Sequence, residues 1–109
     1  KGRLLGVQFA ALTAEGLYTE VGRVANAQAQ RVKAACQSRG LAMFCDTLTN
    51  QIFPIFQNDA LATLATRFTF AHWAQVDAEH TAVRFCAGAT TPEANIDALV
   101  EAILALPVA

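Results

Sequence analysis

Apolar residues recur at helical spacing through the first part of the chain. From Leu17 to Cys36 they return every three or four residues, and most polar residues fall on the opposite side. This spacing predicts an amphipathic helix of about six turns, or about 33 Å at ~1.5 Å per residue. Arg39 and Gly40 suit its carboxyl end, as a cation and as a residue for left-handed backbone. The preceding apolar run, Leu4–Leu12, fits either a helix or a strand, and Thr13 is predicted to cap the long helix.

From residue 41 onward, short apolar runs alternate with polar turns. This alternation predicts four strands, at 41–45, 51–57, 69–74 and 82–86. Pro54 cannot donate a backbone hydrogen bond, so it marks an edge or a bulge. Residues 59–68 predict a short helix capped by Asn58. Thr91 and Pro92 predict the cap and the first residue of a final helix.

The resulting order is a long helix, two strands, a helix, two strands and a helix. It predicts an α+β fold, a two-layer sandwich in which a small, mostly antiparallel sheet of about four strands carries helices on one face. We expect a single domain over residues 1–109, with a connecting segment and the long helix in 1–40 and the sheet and other helices in 41–109.

The composition excludes several classes of protein. The chain has 109 residues, 54% of them hydrophobic, and a formal net charge of −1, so it is too apolar for a disordered protein and lacks the positive charge of a nucleic-acid binder. No apolar run reaches the roughly 18 residues that a membrane-spanning helix needs. Only 16% of residues are charged, whereas about a quarter is usual in globular domains. This deficit predicts that part of the surface is covered by another domain or subunit.

The cysteines indicate a compartment. The chain has an odd number of cysteines, and their spacing is not that of a metal site; they are Cys36, Cys45 and Cys86. No signal-peptide cleavage pattern is present. We therefore predict a cytoplasmic protein with reduced, mostly buried thiols and no metal site.

Few residues are candidates for chemistry. His72, in an apolar strand, is predicted to be a packed, hydrogen-bonded imidazole, and His80 to be solvated. No catalytic relay, phosphate-binding loop or paired carboxylates can be argued from the spacing. Arg84 stands inside an otherwise apolar strand, where its charge needs water, an acid or an anionic ligand. Two interpretations stay open: a solvent-facing arginine, or a planar fork for a carboxylate or phosphate.

An ordered set of segments resembles the C-terminal third of threonine aldolase-like, β-eliminating lyases. The matching segments are Lys1-Gly2-Arg3-Leu4-Leu5-Gly6-Val7-Gln8-Phe9, Gly16-Leu17-Tyr18, Thr49-Asn50-Gln51, His80-Thr81-Ala82-Val83-Arg84-Phe85 and Ala89-Thr90-Thr91-Pro92-Glu93. The chain departs from the family at Thr47-Leu48 and at Cys86-Ala87-Gly88.

The resemblance implies that the chain is the small C-terminal domain of a homo-oligomeric pyridoxal-phosphate enzyme of fold type I. The cofactor and the lysine that binds it would belong to a large upstream domain, since neither Lys1 nor Lys33 matches that lysine. Arg84 matches the family's arginine for the α-carboxylate of the amino-acid substrate. The parent enzyme would cleave threonine-like β-hydroxy-α-amino acids to glycine and an aldehyde, and the fragment alone would not be catalytic.

Two alternatives remain at this stage. The chain could be the small domain of another fold type I enzyme, such as an aminotransferase or decarboxylase. It could also be a free-standing module that binds a small carboxylate. The two-layer architecture cannot separate them, because it is shared by many functions.

Overall fold

The computed structural model describes residues 1–107 and has an α+β fold, as predicted. Its α-helices are α1 (Gly2–Thr13), α2 (Leu17–Ser38), α3 (Asn58–Ala65) and α4 (Glu93–Leu104), with a short 3₁₀ turn at Ala14–Gly16. Its strands are β1 (Gln51–Ile52), β2 (Ile55–Gln57), β3 (Ala71–Gln75) and β4 (His80–Cys86). No helix among residues 1–107 is long and apolar enough to cross a membrane.

The sheet is antiparallel and is built around β4. β1 and β2 pair one after the other along one edge of β4, with Ile52 opposite Phe85 and Ile55 opposite Ala82. β3 pairs with the other edge, where Ala82 opposes Ala74. Because Ala82 has a partner on each side, β4 is the central strand.

The hydrophobic core lies between one face of this sheet and the helices. Val32 and Cys36 of α2, Phe56 of β2, Val83 of β4 and Ile103 of α4 are almost completely buried there. The predicted stripe of α2 thus faces the core from Ala25 to Cys36, whereas Leu17 and Val21 are exposed, and α2 also packs on α4. This is the burial that gives an amphipathic helix most of its stability.

The chain before α2 is helical, which resolves the ambiguity of the first apolar run. α1 ends at Thr13, whose hydroxyl donates to the Phe9 carbonyl oxygen at 2.8 Å. The prediction of Thr13 as the cap of α2 is therefore wrong, and Gly16, with φ of 73°, precedes α2 instead. None of the α1 side chains is buried, and Leu4 is 74% exposed.

Two predicted strands differ in the structure. Segment 41–45 contributes only an isolated bridge from Met43 to Pro54, and segment 51–57 divides into β1 and β2. The absent N–H of Pro54 explains both differences, because no regular ladder can run through that residue. Pro54 still accepts a hydrogen bond from the Val83 N–H at 3.1 Å.

Two predicted helix caps are also wrong. Asn58 is the first residue of α3 and not its cap, and its side-chain oxygen accepts a hydrogen bond from Thr81. The Thr91 hydroxyl accepts from the Gly88 N–H at 2.9 Å, while Pro92 takes the cap position of α4. Thr81 engages the Asn58 side chain across the fold, whereas Gly88 engages the Thr91 hydroxyl within the loop that precedes α4.

Candidate functional site

Arg84 lies in the middle of β4, on the sheet face away from the core. Side chains alternate along a strand, so its neighbours Val83 and Phe85 enter the core while Arg84 points the other way. The Arg84 side chain is half-buried. Cys86 follows on the same face and is exposed. The charged side chain of this otherwise apolar strand is therefore carried on the outer face of the sheet.

The Arg84 guanidinium makes no hydrogen bond or ion pair with any residue between 1 and 107. In contrast, Arg23 binds Glu20, and Arg31 binds Asp97. The Arg84 Cζ lies 5.8 Å from the centroid of the Trp73 ring. A half-buried arginine whose N–H donors are unused can donate two parallel hydrogen bonds to an anion such as a carboxylate.

Sequence reasoning missed Trp73 as part of this site. Trp73 occupies a β-bulge, because the register of β3 against β4 shifts between His72 and Ala74. The only signal in the sequence was the tryptophan itself, since a bulge depends on how two strands pair and not on either strand alone.

A cleft of about 470 Å³ opens beside Arg84, between α4, β4 and the segment before β3. Its lining is mostly apolar and includes Phe70, Phe85, Ile96 and Leu99 along with Arg84. Phe85, Ile96 and Leu99 belong to the core cluster, so this cleft opens on the core side of the sheet and not on the face that carries the Arg84 side chain.

The segment before β1 is hydrogen-bonded to the residue that follows β4. Asn50 donates from its side chain to the Ala87 carbonyl oxygen at 2.9 Å, and its own carbonyl accepts from the Ala87 N–H at 3.0 Å. These bonds extend the pairing of β1 with β4 beyond Gln51 and Cys86. The Thr49-Asn50-Gln51 segment therefore lies next to the strand that carries Arg84, which its sequence alone did not reveal.

The other candidates from the sequence take different places. His72 is exposed and rests against the Phe70 ring without a hydrogen bond, so the predicted packed imidazole is wrong. His80 is half-buried and its Nδ1 lies 2.9 Å from an Asp77 oxygen, so it is bonded as well as partly solvated. Asp77 also accepts from the Glu79 N–H, which together with His80 lowers the pKa of this carboxyl.

The thiols differ in burial. All three cysteines are free, but only Cys36 is buried, whereas Cys45 and Cys86 are exposed. The prediction of mostly buried thiols is therefore wrong for two of the three. Burial raises the pKa of the Cys36 thiol to about 12. No group of three or more metal-ligating side chains occurs among the described residues.

The two lysines of the chain differ in burial. The Lys33 ammonium is buried, where it bonds to Asp46 and to the Thr47 carbonyl oxygen. Lys1 is exposed at the start of α1.

The chain is similar in structure to the threonine aldolase of Leishmania major. The superposition has a TM-score of 0.90 and covers 94% of this chain at 30% sequence identity. The chain spans 30% of the length of that aldolase. No protein-family model and no curated protein sequence matches the chain. The chain is a threonine-aldolase-like domain, as the sequence resemblance predicted.

Proposed function

We propose that the chain is the substrate-carboxylate-binding domain of a pyridoxal-phosphate-dependent lyase. The parent enzyme cleaves threonine-like β-hydroxy-α-amino acids to glycine and an aldehyde. The observation that carries the proposal is the half-buried Arg84 guanidinium, which has no acidic partner among residues 1–107. The similarity to a threonine aldolase supports the choice of reaction.

In this proposal, Arg84 binds and orients the substrate. Two parallel N–H···O bonds to the α-carboxylate hold the Cα atom in one orientation, which selects the bond that can break. Because the chain spans only 30% of the length of the similar aldolase, the cofactor and the bond-breaking chemistry are assigned to the large domain of the parent enzyme. The role of this chain is recognition of the carboxylate.

We further propose that α1 packs against the large domain or a neighbouring subunit of a homo-oligomer. Leu4, Leu5, Val7 and Phe9 are each more than half exposed in this chain. Contiguous exposed apolar surface is typical of an interaction site. The low charge of the chain is in keeping with such coverage. A cytoplasmic location stays a prediction from the cysteine usage and the absent signal peptide.

The test of Arg84 uses the complete enzyme that contains this chain. A charge-assisted bidentate pair contributes about 1.5–3 kcal/mol, so Arg84→Ala is expected to lower kcat/KM for threonine by roughly 10- to 150-fold. Cofactor absorbance should survive, because Arg84 takes no part in holding the cofactor. Arg84→Lys should restore activity only in part, since the planar fork is lost.

The matched control is Arg67→Ala, which removes an exposed arginine that stacks on Phe68 outside the site. It should leave threonine cleavage unchanged. Unaltered threonine use in Arg84→Ala would contradict the proposal, as would loss of the cofactor with intact substrate affinity. Glycine and acetaldehyde as products support an aldolase, whereas a transamination product would indicate another fold type I enzyme.

A further inference from the structure

We propose that Trp73 is a positioning residue that holds the Arg84 guanidinium ready for the substrate carboxylate. This inference rests on the function proposed for Arg84. It adds a second residue to the site and assigns a function to the β-bulge in β3.

The bulge in β3 brings the Trp73 ring to Arg84. Ala71 opposes Arg84 and His72 opposes Val83, but the next paired residue of β3 is Ala74, opposite Ala82. Trp73 is therefore the extra residue of the bulge and has no partner on β4. Bulges commonly re-aim a side chain beside a functional site. Here the re-aimed indole ring lies 5.8 Å from the Arg84 Cζ.

A second aromatic residue fixes the indole ring from the other side. Phe53 lies between β1 and β2, where Pro54 interrupts the strand, and its side chain is almost fully buried. The Phe53 and Trp73 rings are 4.9 Å apart at an interplanar angle of 62°, a favourable edge-to-face arrangement. Phe53 belongs to the β1–β2 segment along one edge of β4 and Trp73 to β3 along the other, so the rings meet over the central strand. Ala82, two residues before Arg84, is fully buried and leaves room for this contact.

An aromatic support has a chemical advantage over an acidic one. An acid partner would occupy the N–H donors of the guanidinium, as Glu20 occupies two of those of Arg23. The face of Trp73 attracts the cation through the ring quadrupole and accepts none of its in-plane N–H donors. Arg84 is thus restrained while its fork stays free for a carboxylate. Restraint before binding raises affinity because less side-chain entropy is lost on binding.

The experiment compares threonine binding and cleavage in the complete enzyme and its variants. Trp73→Leu removes the ring and is expected to weaken threonine binding about 2- to 30-fold, the range for a cation–π contact from exposed to desolvated. Trp73→Phe keeps an aromatic face and should lose less. Phe44→Leu is the matched control, because Phe44 is about half exposed and contacts no other aromatic ring among residues 1–107.

A double-mutant cycle with Arg84→Ala tests whether Trp73 affects threonine binding through Arg84. If Trp73 acts through Arg84, Trp73→Leu causes no further loss in the Arg84→Ala enzyme. An equal loss in both backgrounds overturns the inference, because the ring would then act on the substrate or the fold directly. The unfolding midpoint of each variant is measured in parallel. A loss in Trp73→Leu that is fully explained by the unfolded fraction of that variant also overturns the inference.

Fluorescence supplies a readout that does not depend on turnover. Trp73 is the only tryptophan of the chain, so the difference in emission between the wild-type and Trp73→Phe enzymes isolates its signal. Glycine, which carries the α-carboxylate without a side chain, should change this emission, and Arg84→Ala should abolish the change. If Arg84→Ala weakens threonine binding while Trp73→Leu and the emission show no effect, the positioning role fails and the proposed function stands. If Arg84→Ala itself has no effect, the proposed function fails.

Discussion

The ion pair between Lys33 and Asp46 is unequally exposed, and this predicts unequal effects of removing its members. The Lys33 side chain is 8% exposed, whereas the Asp46 side chain is 80% exposed. The Lys33 ammonium also donates to the Thr47 carbonyl oxygen at 2.8 Å. These contacts hold the segment before β1 against α2, where Gln30 adds a weaker bond to the Thr49 carbonyl oxygen at 3.3 Å.

Removing the acid leaves a charge in the interior. In Asp46→Ala, the Lys33 ammonium keeps only the Thr47 carbonyl and has little access to water. A fully buried pair broken in this way costs about 3–5 kcal/mol. Because Asp46 is mostly solvated and one bond remains, we expect a smaller loss, about 2 kcal/mol of unfolding free energy.

Removing the base leaves a charge that water can solvate. Lys33→Met keeps the length and helix propensity of the side chain, and the freed Asp46 carboxylate is already exposed. The expected loss is about 0.5–1 kcal/mol, the net contribution of an ordinary hydrogen bond. The double variant should resemble Lys33→Met, because no buried charge remains in it.

Urea unfolding at pH 7 measures these differences, with Glu79→Ala as the matched control. Glu79 is an exposed acid in a turn whose side chain makes no ion pair or hydrogen bond within residues 1–107, and its loss should change stability by less than about 0.5 kcal/mol. A larger loss in Lys33→Met than in Asp46→Ala would refute the reasoning. Additive losses in the double variant would refute it as well.

Two further predictions concern titratable groups. Iodoacetamide at pH 8 should modify Cys45 and Cys86 in the native protein but Cys36 only after unfolding. The reason is that Cys36 is buried and its pKa is raised to about 12. Detection of three modified thiols in the native protein by mass spectrometry would contradict this prediction. The lowered pKa of Asp77 stabilises the fold above the carboxyl's ordinary pKa, and this contribution is lost as the pH falls through the lowered value. The difference in unfolding midpoint between the wild type and Asp77→Asn should therefore shrink from pH 6 to pH 2, and a difference that stays constant over that range would count against the assignment.

The regular elements of this fold could be predicted from the sequence, and its irregular ones could not. The period of α2 and the α+β order depend on local hydrophobic spacing, which the sequence contains directly. The bulge at Trp73 depends on the pairing of β3 with β4. The role of Asn58 depends on Thr81, which is distant in the chain, whereas Thr91 bonds to the N–H of Gly88 in the preceding loop. A competing hydrogen bond therefore overrides the cap preference of each residue.

The same limit applies to the site. Arg84 could be identified from the sequence as a lone cation in an apolar strand. That no acidic side chain pairs with it depends on the residues of the whole sheet. The strands Gln51–Ile52, Ile55–Gln57, Ala71–Gln75 and His80–Cys86 contain no aspartate, glutamate or lysine, and Arg84 is their only arginine.

The low charge of the chain thus has a local consequence at Arg84. An acid within a few ångströms would lower the attraction of the guanidinium for a ligand anion, since the two negative charges would compete for one cation. Introducing such an acid is the sharpest way to probe this argument. His72 and Ala74 flank Trp73, and Ala71 opposes Arg84 directly. Directly opposed residues of antiparallel strands lie close enough for an ion pair, so Ala71→Asp should weaken carboxylate binding while His72→Asp, opposite Val83, should weaken it less.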